Sequence, residues 1–337
     1  MKNLPRGLLL ARLILLKLKS VKKVFLVYFF LISILFILGL KFFFAKQSSF
    51  IDSPLPNFLT LFKNRQVSTL NIWLPDFNSR VIGTIKAPDV SARASLIYDL
   101  TINKVIYEKN GKEKLPMASL TKIMTSIIAL ENQKKDDRYK VTKKDLIGED
   151  SMGLSQGEIL SLKELLYGLI LNSGNDAAET LANNFPGGRK KFIEAMNNKV
   201  KALGLTDTNF TNPTGLEGDG KQYTTAYDLI VITRYAVLNF PLFNKVVSTI
   251  DYNIPKAKTH KAYFLENETN LLMSYPGVKG VKTGYTPEAG LCLVTYLDYK
   301  GHKIIGILLG SNNRRQEMKG LLDYALKVQG INSPPHD

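Results

Sequence analysis

Ser119 and Lys122 stand three residues apart in the stretch Met117-Ala-Ser-Leu-Thr-Lys-Ile-Met-Thr-Ser-Ile-Ile-Ala-Leu-Glu131, which follows Pro116. Ile123, Ile127 and Leu130 fall at helical spacing, with Met124 and Ile128 beside them, so the stretch is expected to open a helix with one apolar stripe. On a helix, residues three apart leave the same face one turn apart. A serine hydroxyl within reach of a lysine amine can be a nucleophile beside its base. The pattern alone is common. Ser20 and Lys23 repeat it in a basic stretch, and a helix cap beside a solvated lysine has the same spacing.

Two further stretches add to it. Ser173-Gly174-Asn175 is expected in a turn between two helices, where a hydroxyl and an amide are exposed rather than lost in a helix interior. Lys282-Thr283-Gly284 lies where a strand begins, and the absence of a side chain at Gly284 would let a ligand backbone lie close. Each is ordinary in isolation. In this order they form the Ser-x-x-Lys, Ser-x-Asn, Lys-Thr-Gly set of serine β-lactamases and penicillin-binding proteins. Other hydrolytic chemistries find little support. His260, His302 and His336 are the three histidines, and none has metal-ligand spacing, which argues against a zinc peptidase. A Ser-His-Asp triad would need one of them, and His302 reads as a surface residue in a strand turn. Cys292 is the sole cysteine, so no intrachain disulfide can form, and its strand context reads as a small buried hydrophobe.

The elements that must position these residues change along the chain. Ala94–Asp99 and Lys104–Glu108 read as strands around a turn at Asn103. Ser161 and Glu164 form a capping box ahead of a helix through Ile170, and a second helix starts near Asp176. Residues 189–203 read as a helix stopped by Gly204, and Thr225 with Asp228 as a further capping box. Gly290–Tyr299 and Lys303–Leu309 are strands around Lys300-Gly301, and a last helix runs from about Arg315 to Val328. This order suggests an α+β fold: an antiparallel sheet assembled from both ends of the chain, with a helical lobe inserted between.

The net charge of +16 would suggest nucleic acid until it is located. Residues 1–46 hold nine Lys/Arg and no Asp/Glu, so residues 47–337 carry only +7, with no basic-aromatic cluster for nucleic acid. Val24–Leu40 is a 17-residue apolar run, extended past Lys41 by Phe42–Phe44. It is just long enough to span a bilayer, and six basic residues from Arg6 to Lys23 precede it. The expectation is a basic cytoplasmic tail at 1–23, an uncleaved transmembrane anchor at 24–44, and the rest of the protein outside the cytoplasmic membrane. Phe43-Phe44-Ala45 is a poor cleavage site, which disfavours a removed signal peptide. Residues 45–86 read as a linker or unassigned segment with strand-like pieces at 70–74 and 80–85. The globular domain is placed at 87–330, with a tail at 331–337.

From about residue 88 to residue 329 the chain resembles the low-molecular-weight penicillin-binding proteins, serine D-alanyl-D-alanine carboxypeptidases. The resemblance is carried by Pro116-Met-Ala-Ser-Leu-Thr-Lys-Ile-Met-Thr125, Leu171-Asn-Ser-Gly-Asn-Asp-Ala-Ala178, Phe210-Thr-Asn-Pro-Thr-Gly-Leu216 and Pro276-Gly-Val-Lys-Gly-Val-Lys-Thr-Gly-Tyr-Thr286. It implies a β-lactamase/transpeptidase-like fold, a five-stranded antiparallel sheet flanked by helices with an all-helical lobe. It implies Ser119 as the acylated nucleophile, Lys122 as its base and Ser173 as a proton relay toward the leaving amine. An ordinary lysine is neutral only about once in 10³ at pH 7, so burial and a second cation, Lys282, would have to lower the pKa of Lys122. Asn175 would bond the substrate peptide group. The N–H groups of Ser119 and Tyr285 would form an oxyanion hole, worth about 3 kcal/mol per donor. Thr283, on the strand with Lys282 and Gly284, would help hold the terminal carboxylate with Arg314, whose register against Arg315 is open.

The implied function is a membrane-anchored serine carboxypeptidase that removes the terminal D-alanine from peptidoglycan stem peptides, is acylated by β-lactams and needs neither cofactor nor metal. Endopeptidase or transpeptidase activity on the same fold, and a non-catalytic wall-binding or β-lactam-sensing module, stay open. Glu266-Asn-Glu-Thr-Asn270 has some likeness to the deacylating glutamate loop of class A β-lactamases, but Asn270-Leu-Leu272 better suits the asparagine-leucine stretch of the carboxypeptidases. Many family members carry a carboxy-terminal β domain and an amphipathic anchor. With Asp337 so soon after the last helix, neither is expected here, and the anchor is expected at the amino terminus instead.

Overall fold

The computed structural model describes residues 73, 75–81, 85–269 and 271–336. The expected cytoplasmic tail and membrane span, the whole of 45–72, residues 74 and 82–84, Asn270 and Asp337 lie outside the described residues. Among the described residues, no single helix is long and apolar enough to cross a membrane.

Strands β1 (Ala94–Asp99) and β2 (Lys104–Lys109) form a hairpin whose turn places Asn103 at a φ of 56°. Asp99 is fully buried, and its carboxylate accepts the Thr101 N–H at 2.7 Å. His302 Nδ1 lies 2.6 Å from the same carboxylate, so His302 is a half-buried structural partner rather than the surface residue expected. After a long insert, β7 (Val278–Thr286), β8 (Gly290–Tyr299) and β9 (His302–Ser311) complete one antiparallel sheet in the order β2-β1-β9-β8-β7. Lys300 and Gly301, with φ of 47° and 83°, make the two-residue turn between β8 and β9, a conformation whose twist matches the strands it joins.

The period-two alternation of the strands sorts the core into two layers. Leu96, Tyr98, Val294, Tyr296, Ile305 and Ile307 face the inserted lobe. Ile97, Leu293, Leu297, Ile304 and Leu308 face the last helix, Arg314–Lys327, which seats Met318, Leu321, Leu322 and Leu326 on them. Each such leucine contributes about 1.5–3 kcal/mol by leaving water. The chain ends thus supply the sheet and its outer helix, while the insert supplies the other layer.

That insert holds α1 (Thr121–Glu131), β3 (Tyr139–Lys140), β4 (Ile159–Leu160), α2 (Leu162–Leu171), α3 (Asn175–Asn183), α4 (Gly188–Ala202), α5 (Ala226–Asn239), α6 (Pro241–Val247), β5 (Asp251–Ile254), β6 (Tyr263–Glu266) and α7 (Leu271–Ser274). The last helix is α8. The insert is not purely helical, because β3 pairs with β4 and β5 with β6. Strands of two to four residues are too short to print a period-two pattern. Helix α1 is buried on every side from Thr121 to Ala129 rather than along one stripe. It is enclosed by α2, α3, α4 and α5, and its polar side chains turn to backbone carbonyls, as Thr125 Oγ1 does to Pro213 O at 2.6 Å. Ser161 and Glu164 form the expected capping box. Thr225 caps α5 through the Asp228 N–H at 3.1 Å, but the Asp228 carboxylate accepts from Thr208 Oγ1 at 2.6 Å instead of closing the box.

The described part of the segment before residue 87 lies on the domain. Phe77 stacks on Tyr227 at 3.9 Å, Trp73 meets Tyr98 edge-on, and the Val81 N–H donates to Val105 O at 2.9 Å along the β2 edge.

Candidate active site

Ser119 lies in a single 3₁₀ turn, Ala118–Leu120, just ahead of α1. Ala118 holds a φ of 48°, a left-handed conformation that costs a non-glycine residue about 1–3 kcal/mol and persists only where its surroundings over-determine it. The turn leaves Ser119 largely buried, 9% exposed, while Lys122 one turn on is completely buried. Lys122 Nζ is 2.8 Å from Ser119 Oγ and 2.9 Å from Thr214 O. Burial drives the Lys122 pKa well below that of an ordinary lysine. The positive charge of Lys282 adds to this, while Asp150, Glu268 and Asp176 oppose it. With the amine neutral, the 2.8 Å contact is a path for the Ser119 hydroxyl proton to Lys122.

The loop 212–216 fixes the far side of that lysine. Asn212 Oδ1 accepts from Thr214 N at 3.2 Å and Gly215 N at 2.8 Å, and Asn212 Nδ2 donates to Leu216 O at 2.8 Å. Gly215 sits at a φ of 95°, and a Cβ there would stand 2.0 Å from Ala118 O. Only a glycine allows this loop to touch the Ser119 turn and offer Thr214 O to Lys122.

Ser173 occupies the turn between α2 and α3 at a φ of 54° and is 2% exposed. Asn175 begins α3. Its N–H donates to Asp150 O at 2.6 Å and its Nδ2 to Glu149 O at 2.7 Å, which leaves the buried Oδ1 without a partner among the described residues. The neighbouring Asp176 carboxylate accepts the N–H groups of Met152, Gly153 and Leu154 at 2.9–3.0 Å. It ties the 149–154 loop to the Ser173 turn, and Asp150 in that loop acts electrostatically on both Lys122 and Lys282.

Strand β7 closes the site. A Cβ added at Gly284 would stand 3.0 Å from Ser119 N and 3.1 Å from Ala118 Cβ, so the glycine admits the Ser119 turn against the strand. Lys282 is 1% exposed, and its ammonium makes no hydrogen bond among the described residues. Burial pushes its pKa down to about 8, with Arg314 lowering it further and Glu268 and Asp150 opposing. Glu268 Oε2 lies 4.0 Å from Lys282 Nζ and accepts from Thr283 Oγ1 at 3.4 Å. Arg314 Nη1 donates to Gly284 O at 2.7 Å, while Arg315 is exposed. Tyr285 is 61% exposed at the rim.

The Ser119 turn and α1 thus put a hydroxyl on a buried amine, β7 brings Lys282 close enough to act on that amine, and Arg314 of α8 acts in turn on Lys282. The family model described as D-alanyl-D-alanine carboxypeptidase matches residues 82–313. The chain belongs to the D-alanyl-D-alanine carboxypeptidase family. Among its relatives, the D-alanyl-D-alanine carboxypeptidase DacF of Bacillus subtilis is 36% identical over 244 residues, covering 69% of this chain and 62% of the relative. The D-alanyl-D-alanine endopeptidase of Escherichia coli is 33% identical over 224 residues, covering 63% of this chain and 68% of the relative. The crystal structure of the Streptomyces K15 DD-transpeptidase superposes with a TM-score of 0.68 at 30% identity, over 72% of this chain and all of that one. The five-stranded antiparallel sheet with its helices is therefore of the transpeptidase type. The chain spans less than two thirds of the length of the carboxypeptidase relatives DacF and DacC.

Of the expected site residues, the contacts above join Ser119, Lys122, Lys282, Thr283, Gly284 and Arg314, whereas Asn175, with Ser173 in its turn, bonds the 149–154 loop, whose Asp150 acts on both lysines. Sequence reasoning assigned no role to Asp176, Asn212, Thr214 or Gly215, although the stretches that carry them belong to the family resemblance. The stretch Glu266–Asn270, which as sequence has only some likeness to a deacylating glutamate loop, sets Glu268 against Lys282 and Thr283.

Proposed function

We propose that the protein is a membrane-anchored serine D-alanyl-D-alanine carboxypeptidase of the cell wall, acting outside the cytoplasmic membrane on peptidoglycan stem peptides. The observation that carries this reading is the 2.8 Å contact between Ser119 Oγ and the fully buried Lys122, whose charge is disfavoured by burial and by Lys282.

In the reaction, Lys122 takes the Ser119 proton as Oγ attacks the carbonyl carbon of the penultimate D-alanine. The oxyanion forms between the Ser119 turn and β7, the segments that supply the Ser119 and Tyr285 N–H groups. Asn175 Oδ1 accepts the substrate N–H. The terminal carboxylate lies toward Lys282, Thr283 and Arg314. The C–N bond then breaks, and the departing D-alanine amine receives the proton held on Lys122 by way of Ser173. Water, deprotonated by the same groups, hydrolyses the Ser119 ester and restores the hydroxyl. A β-lactam follows the first half of this course, its ring C–N bond opening onto Ser119.

Anchoring rests on the 17-residue apolar run at Val24–Leu40 and the basic residues before it, which would keep the amino terminus inside. Labelled penicillin added to the full-length chain in detergent is expected to modify wild-type protein and not Ser119→Ala. Label retained by Ser119→Ala would remove the assignment. Release of D-alanine from monomeric rather than crosslinked muropeptides would separate carboxypeptidase from endopeptidase activity.

A further inference from the structure

Glu268 introduces a negative charge at the end of the site where the peptidase reading needs a positive one. Its backbone is fixed: Glu268 N–H donates to Leu171 O at 3.2 Å, and the flanking Asn267 donates through Nδ2 to Thr249 O at 2.9 Å. Its side chain, by contrast, is 46% exposed and can turn outward at little cost. In the free protein it lies 4.0 Å from a buried ammonium that has no hydrogen bond among the described residues, and it accepts from the Thr283 hydroxyl. A substrate carboxylate bound by Lys282 and Thr283 would require these same groups. Two carboxylates cannot share them without repulsion.

We propose that Glu268 is a built-in counter-anion of the carboxylate-recognising end, displaced from Lys282 and Thr283 by each incoming anionic acyl donor, so that it sets how readily such donors are captured. This rests on the D-alanyl-D-alanine peptidase reading and adds a residue that acts through Lys282 rather than on the reacting atoms. The charges facing Lys282 are Glu268 from the loop before α7, Arg314 from α8, Asp150 from the loop between β3 and β4, and Lys122 from α1. Glu268 therefore has two opposed effects. It competes with the ligand for Lys282, and it helps keep Lys282 protonated as pH rises. Removing it aids capture in mildly acidic solution and hurts it in alkaline solution.

The test uses the full-length chain in detergent and benzylpenicillin, with acylation and deacylation measured separately for wild type, Glu268→Gln and Glu268→Asp. Glu266→Gln, an exposed change of the same charge on β6, is the control. At about pH 6 and low salt, the second-order acylation constant of Glu268→Gln is expected to exceed wild type by about five- to tenfold. The gain should shrink to about twofold near 1 M salt. The alkaline limb of its pH profile should move to lower pH. Glu268→Asp, which withdraws the charge by one methylene, should fall between, and Glu266→Gln should match wild type. Deacylation should be unchanged. An acylation constant no higher than wild type at about pH 6, or an unmoved alkaline limb, would overturn the proposal. So would a deacylation rate that collapses in Glu268→Gln, because Glu268 would then be the base that activates water. If wild type itself takes no penicillin, the peptidase reading falls and this inference with it.

Discussion

Gly215→Ala is the substitution whose effect the structure specifies most sharply. The new methyl would stand 2.0 Å from Ala118 O, 2.4 Å from Ala118 C and 2.9 Å from Ser119 N. These are backbone atoms, so no rotamer change relieves the clash, and the Ala118 carbonyl or the loop 212–216 must retreat by about 1 Å. The left-handed φ of 95° adds about 1–3 kcal/mol of strain, and overpacking a further 1–3 kcal/mol or so. Stability should therefore fall by about 2–6 kcal/mol, which for a domain of this size lowers Tm by roughly 5–20 °C. The same retreat displaces Ser119 from Lys122 or withdraws Thr214 O from it, and a 1 Å misplacement costs about 10²-fold in rate. Both quantities are read on one preparation, Tm by circular dichroism and acylation by a fluorescent penicillin. Gly218→Ala controls for strain alone, because Gly218 also has a positive φ but nothing lies within 4 Å of its would-be Cβ. If Gly215→Ala melts and acylates like Gly218→Ala, the clamp on the Ser119 turn is not what positions the nucleophile.

Other outcomes follow from the same geometry. Lys122→Ala should slow acylation by about 10²–10⁴-fold at pH 7, the usual loss with a general base, while Ser119 remains present. Arg314→Ala should weaken capture of carboxylate-bearing β-lactams by about ten- to a hundredfold, and the exposed Arg315→Ala should leave it unchanged; equal effects would reassign the register. Because the folded protein holds the Lys282 pKa at about 8, below that of an unfolded lysine, its burial cost is carried in full below pH 8 and relieved as pH rises toward the unfolded value near 10.5. Lys282→Met should thus stabilise the domain by about 3 kcal/mol at pH 7 in urea titrations while abolishing capture; a less stable variant would refute the burial argument. In wild type, acylation should decline as pH passes through about 8 and Lys282 loses its charge.

Much of this was legible without coordinates. The hairpin strands β1, β8 and β9 are apolar runs buried on both faces and broken by turn residues, α8 carries a helical pattern, and the Ser161–Glu164 cap needs only its neighbours. The Thr225–Asp228 box was half lost because Asp228 found Thr208, twenty residues back, a stronger attraction than its own helix end. The one-sided stripe expected for α1 became all-round burial because four helices enclose it, and no local pattern counts neighbours. The two short ribbons left no periodic trace.

The site divides in the same way. Residue type and motif order, through the family resemblance, were enough to expect Ser119, Lys122, Ser173, Asn175 and Lys282 in one site, and the Ser119–Lys122 contact and the Lys282 charge beside it follow that expectation. What the tertiary structure alone decided is how those groups behave. Lys122 is depressed because the fold buries it beside Lys282, Arg314 rather than Arg315 turns inward because α8 begins with it against Gly284 O, and Glu268 reaches the cationic end because β6 and α7 bring its loop there. Desolvation and Coulomb energies depend on distances through space between residues remote in the chain, and those distances come into being only when the chain packs.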